Sequence, residues 1–99
     1  MTDELIKKIA TEGFYAIGTT YPQIGYYGDE EILVDYYNER FVYQELNEKP
    51  YEDECAWYEK SFDFADFGKW YFLTKEEAEA RVEEIMKTGE RPKYKERYL

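Results

Sequence analysis

The strongest periodicity in the chain lies towards its C-terminal end. Ala78, Val82, Ile85 and Met86 recur at i, i+4, i+7 and i+8, which predicts a helix with one buried stripe. Thr74 suits its N-cap, and Glu77 three residues on completes a capping box by reaching back to the Thr74 backbone N–H. Leu73 before the cap is placed to pack near Ala78 as a staple. Gly89 suits the left-handed residue past the helix end, and Pro92 forbids a restart. Just upstream, Trp70, Tyr71, Phe72 and Leu73 read as a short strand after the turn signal Gly68-Lys69.

From the N-terminus, Thr2 or Asp3 caps a first helix with Leu5, Ile6, Ile9 and Ala10 on one face, ended by Gly13. Phe14 to Thr20 reads as a strand. Residues 21–29 read as a turn-rich loop punctuated by Pro22, Gly25 and Gly28. Ile32 to Tyr37 and Phe41 to Leu46 form a hairpin signal around Asn38-Glu39-Arg40, with Ile32, Val34 and Tyr36 on one face and Leu33, Asp35 and Tyr37 on the other. Residues 47–53 are a polar connection. Cys55 to Phe64 fits a helix starting after Pro50, or a strand alternating at Ala56, Tyr58, Lys60, Phe62 and Phe64. The strand is preferred, because a turn at Ala65–Gly68 then supplies an antiparallel neighbour in Trp70–Leu73. Residues 90–99 form a basic tail, extended on the body or loose. The expected architecture is a single α+β domain over residues 1–99: a small antiparallel sheet of about four or five strands with an N-terminal and a C-terminal helix packed on it.

Composition sharpens this picture. A chain of 99 residues with 43% hydrophobic and 20% aromatic content buries a modest core, despite 36% charged residues. A lone cysteine makes no intramolecular disulfide, the first residues lack a signal-peptide pattern and no apolar run spans a membrane, so the expected setting is the cytoplasm. The formal net charge of −10 is uneven: residues 1–86 are strongly acidic, whereas 87–99 are net basic through Lys87, Arg91, Lys93, Lys95 and Arg97. Such a body repels nucleic acid and anionic membrane and attracts basic protein surfaces. Surplus carboxylates also serve solubility alone.

Asp66-Phe67-Gly68-Lys69 followed by Phe72-Leu73-Thr74-Lys75-Glu76-Glu77-Ala78-Glu79 resembles the C-terminal signature D-F-G-K-x-x-F-L-T-[KR]-E-E-A-E of small uncharacterised proteins of Gram-positive bacteria, their phages and mobile elements. The Trp70-Tyr71 pair stands where that pattern has smaller residues. The resemblance implies a strand–cap–helix unit and an origin in a mobile element or its host. It carries no catalytic residue.

Candidate chemistry is sparse. With no histidine, the commonest general base and metal ligand is missing, and Cys55 reads as a small apolar residue rather than a nucleophile. Asp63 and Asp66 lack the spacing of a cation loop, and no glycine pattern fits a phosphate cradle. No catalytic residue, metal site or cofactor is expected. Two features point to binding instead. The first is twelve tyrosines, of which the glycine-flanked pair Tyr26-Tyr27 is read as surface; the alternative is that the rings fill and rim a small core. The second is an acidic middle, thirteen carboxylates between Asp29 and Asp66 against Arg40, Lys49 and Lys60. On a strand, same-face carboxylates repeat every ~6.6–6.8 Å and imitate a row of phosphates. The expected partner-binding residues are Tyr26, Tyr27, Asp29, Glu30, Glu31, Asp35, Tyr37, Glu52, Asp53 and Glu54. The function these imply is an anti-CRISPR-like or nucleic-acid-mimicking inhibitor of a basic, nucleic-acid-handling host protein, with no direct contact to nucleic acid or membrane. The other reading is an accessory module, structural or sequestering a small ligand in an aromatic pocket.

Overall fold

The structure, a computed structural model, describes residues 1–28, 32–48 and 55–98, with the side chains of 47, 48, 55 and 56 left out. The chain begins with helix α1 (Asp3–Glu12), where Thr2 Oγ1 accepts the Leu5 N–H at 3.2 Å and Ile6 and Ile9 are buried. Gly13 ends the helix at φ +83°. Only glycine fits there, since a Cβ would lie 2.5 Å from the Tyr27 carbonyl oxygen.

Strands β1 (Phe14–Ile17) and β2 (Ile24–Tyr27) then form a hairpin, with Phe14 opposite Tyr27 and Ile17 opposite Ile24. The expected 21–29 loop is therefore partly strand. Its turn ends early, at Gln23, whose carbonyl accepts the Gly18 N–H at 2.8 Å. Gly25 sits inside the strand opposite Ala16 rather than breaking it. A second hairpin joins β3 (Ile32–Asp35) to β4 (Arg40–Glu48) through a turn at 36–39, where Glu39 adopts φ +52°.

Residues from Cys55 onward take the strand alternative, as β5 (Cys55–Asp63). Its expected hairpin with the next strand does not form. A 3₁₀ turn (Phe64–Asp66) carries the chain to the other sheet, where β6 shrinks to Tyr71–Phe72 and pairs with β1. The Tyr71 ring explains the switch: it is fully buried among Phe14, Phe41 and Phe62, and its hydroxyl donates to the Asp63 carbonyl at 2.8 Å. Helix α2 (Lys75–Thr88) follows, and the tail is neither loose nor merely laid on the body: Lys95–Tyr98 is strand β7, antiparallel to β5.

The class is α+β, with the N-terminal and C-terminal helices expected, but the described strands number seven and divide into two antiparallel sheets ordered β2-β1-β6 and β3-β4-β5-β7. Alternation along the smaller sheet makes three layers. Phe14, Ala16 and Tyr71 meet Phe41, Tyr43 and Phe62 of the larger sheet. Ile17 and Phe72 point the other way, with Trp70, onto Ala78 and Ile85 of α2. α1 packs against β3, adding Ile6 and Ile9 to the core between the sheets.

Two details of α2 differ from expectation. Thr74 Oγ1 accepts the Glu77 N–H at 3.3 Å and itself donates to the Glu77 carboxylate at 2.8 Å, so the Glu77 side chain grips the cap hydroxyl. Met86 is 64% exposed, leaving Ala78, Val82 and Ile85 as the stripe, and Leu73 packs into the core between the sheets rather than on Ala78. Gly89 is left-handed at φ +78° as the pattern predicts.

Candidate protein-binding surfaces

Of the ten expected partner-binding residues, Asp29, Glu30, Glu31, Glu52, Asp53 and Glu54 lie outside the described residues. The other four are dispersed. Tyr37 stands at the tip of the β3–β4 turn, 94% exposed. Tyr26 is exposed, but its hydroxyl donates to the Glu12 carbonyl at 2.7 Å and ties the first hairpin to the end of α1. Tyr27 is half-buried. Its ring packs on Phe14 at 5.7 Å, Tyr43 at 4.9 Å and Phe62 at 5.0 Å between centroids. Asp35 is held within its own turn, accepting from the Asn38 side chain at 2.8 Å, the Asn38 backbone N–H at 3.1 Å and Arg40 Nε at 2.9 Å. The Asn38 bonds, chiefly from its side chain, with the Arg40 guanidinium pull the Asp35 carboxyl down to about 2.

Glu59 of the acidic middle is also engaged internally, and the basic tail is the reason. Strand β7 delivers Arg97 to Glu59 at 3.2 Å, while Gln44 donates to the second Glu59 oxygen at 3.2 Å. On the opposite face, Glu96 of β7 pairs with Lys60 at 3.2 Å. Paired carboxylates of this kind set register and offer little to a partner.

Lys60 also organises the tyrosines. Its ammonium lies 4.8 Å from the Tyr94 ring centroid, 5.3 Å from Tyr27 and 5.7 Å from Phe62, and donates to the Tyr27 hydroxyl at 3.0 Å. Lys60 thus takes the place of a cation over these rings, and a cavity of about 370 Å³ beside it is lined by Tyr21, Ile24, Tyr27 and Lys60 among others. Burial pushes the hydroxyls of Tyr94, Tyr71 and Tyr58 upward, and Tyr94 donates to the Ile17 carbonyl at 2.8 Å. The Tyr71 ring lies in the core between the sheets with Tyr94 packed against it, while Tyr58 sits against Tyr98 at 5.6 Å between centroids. The open groove of about 510 Å³ beside the β3–β4 turn is lined by Asn38, Glu39, Arg40, Asp63, Ala65 and Lys95, a polar set without an enclosing wall. Among the described residues no three carboxylates or thiols converge as a metal site, and no helix is long and apolar enough to cross a membrane.

Two surfaces were not foreseen. On α2, Glu76, Glu79 and Glu83 point away from the buried stripe and make no ion pair among the described residues. Their i, i+3, i+7 spacing is legible in the sequence. The second surface is the outer face of the larger sheet, where Leu46, 61% exposed, sits opposite Trp57, 51% exposed. Finding that pair requires the β4–β5 register. Trp70, by contrast, lies buried beneath the Arg81 guanidinium, 5.0 Å from its ring centroid, and helps dock α2.

No protein-family model matches the chain, and neither the curated proteins nor the solved structures contain a significant match to it.

Proposed function

We propose that this chain is a small acidic phage or mobile-element protein that binds and inhibits a basic host nucleic-acid-handling protein, a CRISPR effector or restriction factor being the class of target. The observation that supports it best is the outward face of α2. Glu76, Glu79 and Glu83 rise along it in steps of about 4.5 and 6 Å, with exposed Met86 beside them and Lys87 one turn beyond. The helix under them is anchored by buried Ala78 and Ile85 and capped at both ends, so the charges are presented on a rigid element. They lie on the opposite side of the molecule from the cations of β7, in the outermost layer. A basic groove built for phosphates accepts such a row.

The test begins with capture of the partner from host lysate and continues with the purified pair. Immobilised binding is measured at two salt concentrations for wild type, for Glu76, Glu79 and Glu83 all changed to Lys, and for Glu52, Asp53 and Glu54 all changed to Lys. Affinity is expected to fall with salt, since exposed charges more than ~10 Å apart are largely screened at ~0.1 M. The α2 reversal is expected to slow association, duplex DNA to compete, and the captured protein to lose its activity on nucleic acid when the chain is added. Salt-indifferent binding that ignores both reversals and DNA would sink this reading.

A further inference from the structure

Among the described residues no layer covers the outer face of the four-stranded sheet. Four cross-strand rows run along it: Arg40 opposite Asp63, Val42 opposite Ser61, Gln44 opposite Glu59, and Leu46 opposite Trp57. Leu33 and Asp35 flank them on β3, Lys95 and Arg97 on β7. Among the described side chains of this face the charges cancel, with Arg40, Lys95 and Arg97 against Asp35, Glu59 and Asp63, while the whole chain carries −10. Two copies therefore approach one another here without the repulsion that the acidic surface imposes elsewhere. The face also exposes a tryptophan and a leucine side by side, the residue types that anchor interfaces and edge them.

We infer that this face joins two copies of the chain, sheet against sheet, about a twofold axis parallel to the strands and running between β4 and β5. Such an axis lays β4 of one copy over β5 of the other, so every row meets itself reversed. Arg40 then faces the partner's Asp63, Gln44 the partner's Glu59 and Leu46 the partner's Trp57. Pairs that are complementary side by side within the sheet become complementary across the interface. Glu59 enters with both oxygens already bonded by Gln44 and Arg97, so its burial leaves no bare charge. Strands β4 and β5 run nine residues each and β3 and β7 four each, so with strands about 4.8 Å apart the patch covers on the order of 400 Å² before side-chain relief. That places it at the small end of specific interfaces, and the association is expected to be weak and concentration-dependent. Edge-to-edge association through β7 is disfavoured instead. A symmetric antiparallel register there sets Glu96 against the partner's Glu96, or Arg97 against the partner's Arg97. This inference stands apart from the proposed function, and the resulting dimer carries its two α2 helices on opposite outer sides.

The test is sedimentation equilibrium of the full chain over a concentration series, with acrylamide quenching of tryptophan fluorescence on the same samples. Wild type is expected to reach twice the 12.0 kDa chain mass. Because Trp70 is already buried, the quenchable fraction reports Trp57, which is expected to be shielded at high concentration and exposed on dilution. Trp57→Lys and Leu46→Asp are each expected to return the mass to one chain with an unchanged circular-dichroism spectrum. A single-chain mass throughout the series overturns the inference, as does a dimer in which Trp57 stays fully quenchable. A dimer that survives both variants places the contact elsewhere and also overturns it.

Discussion

The inner face of the β4–β5 pair sets Phe41, Tyr43 and Phe62 against rings from β1, β2 and β6, whereas its outer face, two residues out of every four along the same strands, carries Arg40, Gln44, Leu46, Trp57 and Asp63. Both faces contain buried positions. Phe41 and Phe62 are buried by a second sheet; Val42, Ser61 and Glu59 are buried with no covering layer among the described residues, by the long side chains of neighbouring strands. The difference teaches that burial alone does not identify a core. What distinguishes the inner face is mutual contact among rings, which is sensitive to volume, while the outer face rests on charge pairs that water partly replaces.

The sharpest way to break this comparison is volume. Phe62→Ala opens a cavity among Phe14, Tyr27 and Tyr71 and is expected to cost about 3–5 kcal/mol, read from urea unfolding midpoints. Tyr27→Ala belongs with it as a folding variant, so it cannot report on a partner.

The next test titrates the inner rings. Folding raises the Tyr58, Tyr71 and Tyr94 hydroxyls, chiefly by burial, so the fold favours their neutral form. Their contribution is whole below the ordinary tyrosine value of ~10 and is lost as pH climbs through and beyond it. Unfolding midpoints between neutral pH and strong alkali should fall steeply, and Tyr71→Phe should blunt that slope. A flat alkaline limb in wild type would show that the rings are not held dry.

On the outer face the effects shrink. Asp35 is depressed to about 2 by its bonds to Asn38 and to Arg40, so it stabilises the turn above its unfolded value of ~3.9 and loses that contribution as pH falls through the folded one. Asp35→Asn should lower stability at neutral pH, where that contribution is whole, and flatten the acid limb of the stability curve, converging on wild type below the folded value. Trp57→Ser, measured at dilution, should shift stability by no more than ~0.5 kcal/mol, because the ring covers no core. If Trp57→Ser instead matched Phe62→Ala, the two faces would not differ as described.

Legibility followed the range of the interactions. The caps at Thr2 and Thr74, the stops at Gly13 and Gly89 and the apolar stripes of both helices were all readable, because hydrogen bonds within a few residues decide them. The β3–β4 hairpin was readable for the same reason, its turn being closed by Asp35 on Asn38. The glycine neighbours of Tyr27 signal a loop, and only the pairing of Tyr27 with Phe14 turns its ring inward. Of the expected binding residues, Tyr37 kept an open position, while Tyr26 and Asp35 proved to have partners within the chain.

Local chemistry along the chain thus settled the α+β class and the two helices, since each depends on periodicity and capping that neighbouring residues supply, whereas the run from Cys55 fitted helix or strand until pairing with β4 and β7 made it a strand. Tertiary structure decided the rest: that there are two sheets, that β6 leaves β5 for β1, and that the basic tail becomes a strand which neutralises Glu59. The physical reason is register. A strand must satisfy its backbone groups on whichever edge is free, and Tyr71 gains more from burial among Phe14, Phe41 and Phe62 than a tight hairpin onto β5 would offer it.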